Sequence, residues 1–184
     1  PGCVLNLPHM DFFKYRSDLA PAKGRFLISE PYLADPNFER TIILLCDHNE
    51  EGSFGFVLNK ASETRVGEVV ADLQHFEGMA YVGGPVQQDT LHYLHRMGDL
   101  EGAVEIGNGV YWGGNYEQLQ LRVELNQVTP SDIKFFLGYS GWSPGQEEEE
   151  LKAELWIVSD QVTPALVFEE SPDKMWQDVL KRMG

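Results

Sequence analysis

Two apolar runs that follow each other closely constrain the fold of this chain more than any other feature. The first, TIILLCDH, runs from Thr41 to His48, and the second, SFGFVLN, runs from Ser53 to Asn59. Both are rich in β-branched and aromatic residues, and the four residues NEEG between them are typical of a turn. The pattern predicts an antiparallel hairpin with a buried first strand.

The polar ends of the segment from Glu30 to Lys60 carry residue types that a core does not require. These are Asp35, Arg40, His48 and Asn59. One interpretation makes them one wall of a composite binding site. The other is structural: Asp35 caps a short helical turn that starts at the following proline, and Arg40 ties that turn to the sheet by an ion pair.

The remaining pattern mixes strand signals with isolated helix signals. We predict further strands at 25–29, 80–82, 91–95, 104–106, 110–112 and 154–158. We predict helices at 12–15, 64–73, 129–137 and 172–183, and a short turn at 36–39, and the segment 116–123 is compatible with either a helix or a strand. With 184 residues and no internal repeat, the chain is expected to form a single compact α+β domain over residues 24–184.

Residues 1–23 are expected to be an N-terminal extension. Because the chain begins at Pro1 without an initiator methionine, we hypothesise that residues 1–9 derive from an expression vector.

Charge and cysteine content narrow the class of function. Twenty-nine Asp and Glu stand against fourteen Lys and Arg, a formal net charge of −15, which repels nucleic acids and anionic membranes. The most basic segment, Lys174 to Arg182, is interrupted by Asp178 and is typical of a solvated helix face. Cys3 and Cys46 are too few for a disulfide framework, and no run reaches the ~20 apolar residues of a membrane span, so we expect a cytoplasmic protein.

Three motifs in order along the chain carry a family resemblance. They are GRFLISEPYLADPNFERTIILLCDHNEEGSFGFVLNK, then YVGGPV, then GYSGWSPGQ. Together they resemble the AlgH/YqgE family of bacterial proteins, whose biochemical role is largely unassigned. The resemblance implies an α+β fold with a bent or barrel-like mixed sheet flanked by helices. It also implies a regulatory label, which comes from one member linked to alginate production and does not establish DNA contact.

Carried onto this sequence, the family pattern suggests a candidate groove. Its residues are Asp35, Phe38, Arg40, His48, Asn59, Gly83, Gly84, Pro85, Tyr139, Gly141, Trp142 and Gln146. The glycines at 83–84 also suit a plain tight turn, and Tyr139 and Trp142 also suit a core. Two positions depart from the family pattern: Ser140 stands where the family usually has Ala, and Glu147 where it usually has Leu.

Local motifs for covalent or metal chemistry are incomplete. Ser140 lacks the second glycine of a nucleophile elbow, because Trp142 stands there. Cys46 and His48 share a strand face in the predicted hairpin and could form a thiolate–imidazole pair, but the favoured interpretation makes Cys46 a core residue.

Metal-binding patterns are equally weak. On a strand, His92 and His95 point to opposite faces and are expected to be ordinary surface histidines. The acidic run from Gln146 to Glu150 is expected to be a solvated helix start. We therefore expect no metal and no cofactor.

These patterns favour a non-catalytic binding domain with a regulatory role, which binds an unknown small ligand or protein partner. The domain is expected to be a monomer or a weak oligomer. The alternative is an enzyme of unassigned reaction with His48 as general acid or base and Asp35 or Arg40 as its electrostatic partner. A direct DNA-binding regulator is disfavoured by the charge.

Overall fold

The computed structural model describes residues 19–30, 38–153 and 155–183. Ten strands occur in these residues: β1 Phe26–Ser29, β2 Ile42–Asn49, β3 Gly52–Val57, β4 Ala61–Arg65, β5 Met79–Val82, β6 Val86–His95, β7 Val104–Gly107, β8 Val110–Trp112, β9 Ile133–Trp142 and β10 Trp156–Ser159. The helices are α1 Val66–Val69, α2 Tyr116–Glu124, α3 Gln146–Lys152, α4 Pro164–Phe168 and α5 Pro172–Met183, with a 3-10 turn at Ala71–Leu73. None of the helices in these residues combines the length and the apolar character of a membrane span.

The strands form one open sheet in the order β10-β1-β2-β3-β9-β6-β8-β7. Strand β5 joins it by a parallel pairing with β9 and carries β4 on its other side, while the remaining pairings are antiparallel. The α+β class and the mixed sheet are therefore confirmed. The barrel-like expectation is wrong, because closure needs the two outermost strands to pair, and β10 and β7 end the sheet instead.

The predicted hairpin is confirmed as β2 and β3, and its alternation sets up two hydrophobic layers. Ile42 and Leu44 face one cluster, which α5 covers with Met175 and Trp176. The next residue along, Ile43, faces the opposite cluster, which contains Trp142 and Trp156. Because both faces of β2 are covered, its residues form a continuous apolar run, as buried strands do.

The predicted helix at 129–137 is wrong, since this segment forms the turn before β9 and the first half of β9 itself. The cap-like residues make a turn instead, in which the Thr129 amide donates to Asp132 Oδ2 at 2.9 Å. Strand β9 lies at the centre of the sheet and changes partners along one edge. Leu137 pairs with β5, whereas Ser140 to Trp142 pair with β3, and Gly138 between them has φ +74°.

The predicted helix at 64–73 is also largely wrong. Residues up to Arg65 extend β4, and the following helical turns are short and interrupted. Thr64 caps no helix; its amide donates to Ser62 Oγ at 3.1 Å. The ambiguous segment at 116–123 is a helix, capped by the Asn115 side chain accepting from the Gln118 amide.

The other predicted elements have two outcomes. The strands predicted around 25–29, 80–82, 91–95, 104–106, 110–112 and 154–158 and the C-terminal helix are confirmed. The predicted helix at 12–15, and Asp35 with the first half of its proposed turn, lie outside the described residues.

Candidate functional site

A cavity of about 500 Å³ opens where the β2–β3 hairpin meets the end of β9. We call it the aromatic groove, and its lining residues are Asp47, Asn49, Glu51, Gly52, Ser53, Phe54, His92, Trp112, Tyr139, Gly141 and Trp142. Its volume lies within the ~300–1,000 Å³ of ordinary small-molecule sites.

The aromatic walls of the groove are the outer edge of a core cluster. Phe54 on β3 lies 5.0 Å from Trp112 and 6.2 Å from Tyr139, measured between ring centroids. All three rings are partly buried and pack against the main core. The walls are therefore held in place by neighbours on the core side while their other faces line the groove.

Gly141 lines the groove beside the Tyr139 ring. It pairs with Phe54 across the β3–β9 ladder and is exposed. A Cβ added here would lie 3.6 Å from the Tyr139 ring, which is ordinary van der Waals contact. A side chain can therefore start from this position without a clash at its Cβ.

His92 lines the groove from β6, although its sequence pattern suggested an ordinary surface histidine. Its ring lies 5.3 Å from Phe56 and 5.9 Å from Tyr139, and Nε2 is 3.0 Å from Thr90 Oγ1. Burial lowers the pKa of His92 below its usual value. A neutral imidazole in an aromatic wall is therefore the form that this environment favours.

His95 is also not a surface histidine, since it is fully buried. Its Nε2 lies 2.6 Å from the Gly113 carbonyl, and its Nδ1 accepts from the Met97 amide. Both ring nitrogens are satisfied by backbone, which assigns His95 to the core. The strand assignment places His92 and His95 on opposite faces, as expected.

Charged groups on the groove carry one sign. Asp47 and Glu51 line it, and its described lining contains no lysine or arginine. A cleft lined by one sign of charge concentrates ions of the opposite sign.

A partly buried polar cluster shares Ser53 with the groove. We define the polar cluster as His48, Ser53 and Glu147. His48 Nδ1 lies 2.6 Å from Ser53 Oγ and 3.2 Å from Glu147 Oε1, and Ser53 Oγ donates to Glu147 Oε1 at 2.8 Å. Glu148 approaches the other ring nitrogen of His48, with Oε1 3.9 Å from Nε2.

Glu147 corrects the expectation of a fully solvated acidic helix start. The helix is present as α3, but Glu147 is 1% exposed, whereas Glu148 and Glu149 are exposed. Burial raises the pKa of the Glu147 carboxyl, and this effect exceeds the opposing influence of Ser53 and His48. Its Oε2 atom is buried and accepts no hydrogen bond.

Among the predicted site residues, Tyr139, Gly141 and Trp142 meet at the groove. Trp142 is 7% exposed, and its ring centroid lies 6.4 Å from that of Phe38 and 6.3 Å from that of Trp156. Phe38 therefore supports the wall from behind.

Gln146 connects the loop at 143–145 to helix α3 through its side chain. Its Nε2 donates to Glu150 Oε2 at 2.9 Å, and its Oε1 accepts from the Ser143 amide. The side chain is committed to these structural contacts and does not line the groove.

Arg40 and Asn59 lie elsewhere, at the opposite end of β2 from the groove. The Arg40 guanidinium is 5.4 Å from the Trp176 ring centroid on α5. Asn59 Nδ2 donates to the Arg40 carbonyl and its Oδ1 accepts from the Ile42 amide. These contacts stabilise the start of β2. Neither side chain lines the groove.

The Gly83–Gly84–Pro85 turn is packed against β9. A Cβ on Gly84 would lie 2.2 Å from the Tyr139 carbonyl oxygen, so only glycine fits there. Ser140 Oγ is fully buried and donates to the Gly83 carbonyl at 3.0 Å. The turn thus supports β9 from outside the groove, and the buried Ser140 hydroxyl has a structural role.

Cys46 belongs to the core, as the favoured interpretation held. It is 2% exposed, and burial raises the pKa of its thiol. The β2–β3 register shifts between Leu45 and Asp47, so Cys46 occupies a bulge. Cys46 packs into the main core while His48 contacts Ser53 and Glu147, so the proposed thiolate–imidazole pair is not formed.

Comparisons with known proteins agree on one family. The chain matches the AlgH-like family model over residues 26–184. It is 41% identical to a UPF0301 protein of Chlorobium limicola over 162 residues, covering 88% of this chain and 86% of the relative. It is 43% identical to a UPF0301 protein of Cytophaga hutchinsonii over 164 residues, covering 88% and 90%.

Solved structures show the same fold. The solution structure of AlgH from Pseudomonas aeruginosa superposes with a TM-score of 0.72 at 31% identity, covering 91% of this chain and 93% of that one. The crystal structure of DIP2367 from Corynebacterium diphtheriae gives a TM-score of 0.77 at 23% identity, covering 93% and 92%. The second similarity supports the fold alone.

Proposed function

We propose, from the premise that this chain belongs to the AlgH-like family, that it is a non-catalytic binding domain whose aromatic groove holds a small organic ligand. The observation that carries the proposal is the groove itself, where aromatic rings from β3, β8 and β9 line one cavity of about 500 Å³. The low cysteine count supports a cytoplasmic location, and we propose that the domain acts there as a monomer or weak oligomer.

The chemistry of the groove favours a ligand that joins an aromatic or apolar body to a positive charge. Phe54, Trp112 and Tyr139 supply ring faces, which attract apolar groups and cations. Asp47 and Glu51 supply negative charge on the same lining. The formal net charge of −15 acts in the same direction and disfavours the alternative of a DNA-binding regulator.

A matched pair of probes tests the charge preference. Phenethylammonium and phenylacetate carry the same ring but opposite charges, and both can be titrated into isotope-labelled protein by NMR. We expect phenethylammonium to shift the amide signals of Phe54, Gly141 and Trp112, with an affinity at least about tenfold higher than that of phenylacetate. Equal affinities, or shifts that avoid the groove, would contradict the proposal.

A groove-filling variant tests the location. Gly141→Leu should weaken phenethylammonium binding without unfolding the protein, because a Cβ at this position meets ordinary contacts only. Glu63→Leu is the control, since Glu63 is an exposed strand residue that does not line the groove. Binding that survives Gly141→Leu, or that Glu63→Leu weakens equally, would place the ligand elsewhere.

A second candidate is an enzyme, supported by one specific distance. The hydroxyl of Ser53, which lines the groove, lies 2.6 Å from His48 Nδ1, a spacing suited to general-base activation of a nucleophile. Two features rank this function second. The Ser53 hydroxyl donates to Glu147 Oε1, so its proton is not directed at His48. The Glu148 carboxylate lies 3.9 Å from His48 Nε2, beyond hydrogen-bonding distance, and so does not orient the imidazole.

Hydrolysis of p-nitrophenyl acetate tests the enzymatic function. Saturable turnover that is lost in Ser53→Ala and His48→Ala but retained in Ser143→Ala would support it. Ser143 is an exposed serine outside the groove lining and is therefore a matched control. Turnover that persists unchanged in Ser53→Ala would exclude Ser53 as the nucleophile.

A further inference from the structure

Three potential metal ligands from two distant segments meet beside the aromatic groove. His48 comes from β2, and Glu147 and Glu148 come from the first turn of α3. One ligand atom from each lies within 4.8 Å of the other two. We propose that His48, Glu147 and Glu148 bind a first-row divalent transition metal ion of the Zn²⁺ or Mn²⁺ class.

The spacing suits an ion of this size. Metal–ligand distances near 2.1 Å place neighbouring ligand atoms about 3.0 Å apart in an octahedral site and about 3.4 Å apart in a tetrahedral one. The separation of 3.2 Å between His48 Nδ1 and Glu147 Oε1 lies between these two values. Glu148 Oε1 lies 3.9 Å from the other ring nitrogen of His48, and the side chain is about half exposed, so Glu148 has to change rotamer to reach an ion bound at Nδ1.

The buried carboxylate is the independent observation that points to a ligand. Glu147 is 1% exposed, and its Oε2 is buried without a hydrogen-bond donor. A buried oxygen of this kind costs free energy unless it is paired with a donor, a water or a cation. A divalent ion coordinated by Glu147 would compensate the buried charge of the carboxylate directly.

The ligand types select the class of metal. One imidazole with two carboxylates is suited to Zn²⁺, Mn²⁺ or Fe²⁺, whereas Mg²⁺ and Ca²⁺ prefer oxygen ligands alone. Ser53 Oγ lies within 2.8 Å of both His48 Nδ1 and Glu147 Oε1, so it can serve as a neighbouring hydrogen-bond donor or a weak ligand.

The position of the site gives it access to the groove. Ser53 belongs to the polar cluster and also lines the groove. Ser53 would therefore connect an ion bound here to the groove. The proposal does not depend on the proposed binding function, because the metal is measured alone.

Calorimetric titration of chelator-treated full-length protein with ZnCl₂ tests the site. We expect one saturable Zn²⁺ site per chain, with weaker binding of Mn²⁺ and no comparable binding of Mg²⁺. Glu148→Gln should weaken Zn²⁺ binding by at least about tenfold. Glu149→Gln is the matched control, because it removes the same charge from the neighbouring exposed position of the same helix.

A second variant separates ligation from folding. Glu147→Leu introduces an apolar residue at the buried position and should abolish the Zn²⁺ site while leaving the circular dichroism spectrum unchanged. Co²⁺ substitution adds a spectroscopic readout, since visible absorption of bound Co²⁺ should be lost in His48→Asn. The proposal is overturned if the wild-type protein shows no saturable site, if Glu148→Gln and Glu149→Gln weaken binding equally, or if Glu147→Leu binds Zn²⁺ like the wild-type protein.

Discussion

The Ser53 hydroxyl donates to Glu147 Oε1 at 2.8 Å, joining two residues that lie 94 positions apart in the chain. The bond connects the β2–β3 hairpin to helix α3 and brings His48 into contact with the same carboxylate. It gives the wall of the aromatic groove a polar support that the neighbouring aromatic rings do not provide.

Ser53→Ala should lower the free energy of unfolding by about 1–3 kcal/mol, because the substitution removes the hydroxyl donor from a buried carboxylate. Urea denaturation measured by tryptophan fluorescence checks this. Ser143→Ala is the control and should change the value by no more than about 0.5 kcal/mol, since Ser143 is exposed. A Ser53→Ala protein as stable as the control would show that the bond contributes little.

Lys134 should make stability depend on pH. It is 4% exposed, its Nζ donates to the carbonyls of Leu58 and Val167, and burial lowers its pKa to about 7. In the unfolded chain its pKa returns towards the ordinary value of 10.5, so between pH 7 and pH 10.5 the unfolded state binds more protons. The free energy of unfolding therefore rises with pH between pH 7 and pH 10.5 because of Lys134. This gain is lost as the pH falls towards 7.

The variant Lys134→Met removes this titration. We expect the stability of the wild-type protein relative to Lys134→Met to increase from pH 7 to pH 10, with a slope approaching about 1.4 kcal/mol per pH unit. Denaturation curves at several pH values measure it. A difference that stays constant across this range would contradict a lowered pKa.

Gly84→Ala should be strongly destabilising. The added Cβ would lie 2.2 Å from the Tyr139 carbonyl oxygen, which belongs to the backbone of the central strand and cannot move aside cheaply. We expect a loss of roughly 3 kcal/mol or more, measured by thermal or urea unfolding. Gly141→Ala is the matched control, since its Cβ meets only ordinary contacts, and comparable losses in the two variants would contradict the packing argument.

Cys46 should resist alkylation in the folded protein. It is 2% exposed, and burial raises the pKa of its thiol, so little reactive thiolate reaches solvent. Iodoacetamide treatment followed by peptide mass analysis should leave the Cys46 peptide unmodified in buffer and modify it in urea. Rapid modification of the native protein would indicate that β2 opens locally.

Much of the local structure could be predicted from the sequence because it depends on contacts between near neighbours. The hairpin from Thr41 to Asn59 carries its own turn, and the C-terminal helix carries a full apolar stripe. The family could likewise be recognised from three ordered motifs.

Strand β9 shows where local signals fail. A typical helix start is present at Thr129, Pro130 and Asp132. The segment that follows nevertheless forms a strand, which pairs with β6 on one side and with β5 and β3 on the other. Its fully buried residues Phe135 and Phe136 pack into two different hydrophobic clusters, one on each face of the sheet. Long-range pairing therefore overrode the local preference.

The sequence by itself determined the hairpin, the C-terminal helix, the acidic character and the family of this protein, because each of these depends on neighbouring residues or on composition. Only the tertiary structure decided which polar residues meet. It separated Arg40 and Asn59 from the groove, added His92 and Trp112 to it, and buried Glu147 against His48. The physical reason is that such meetings depend on strand order and register across the whole sheet, which residue spacing along the chain does not specify.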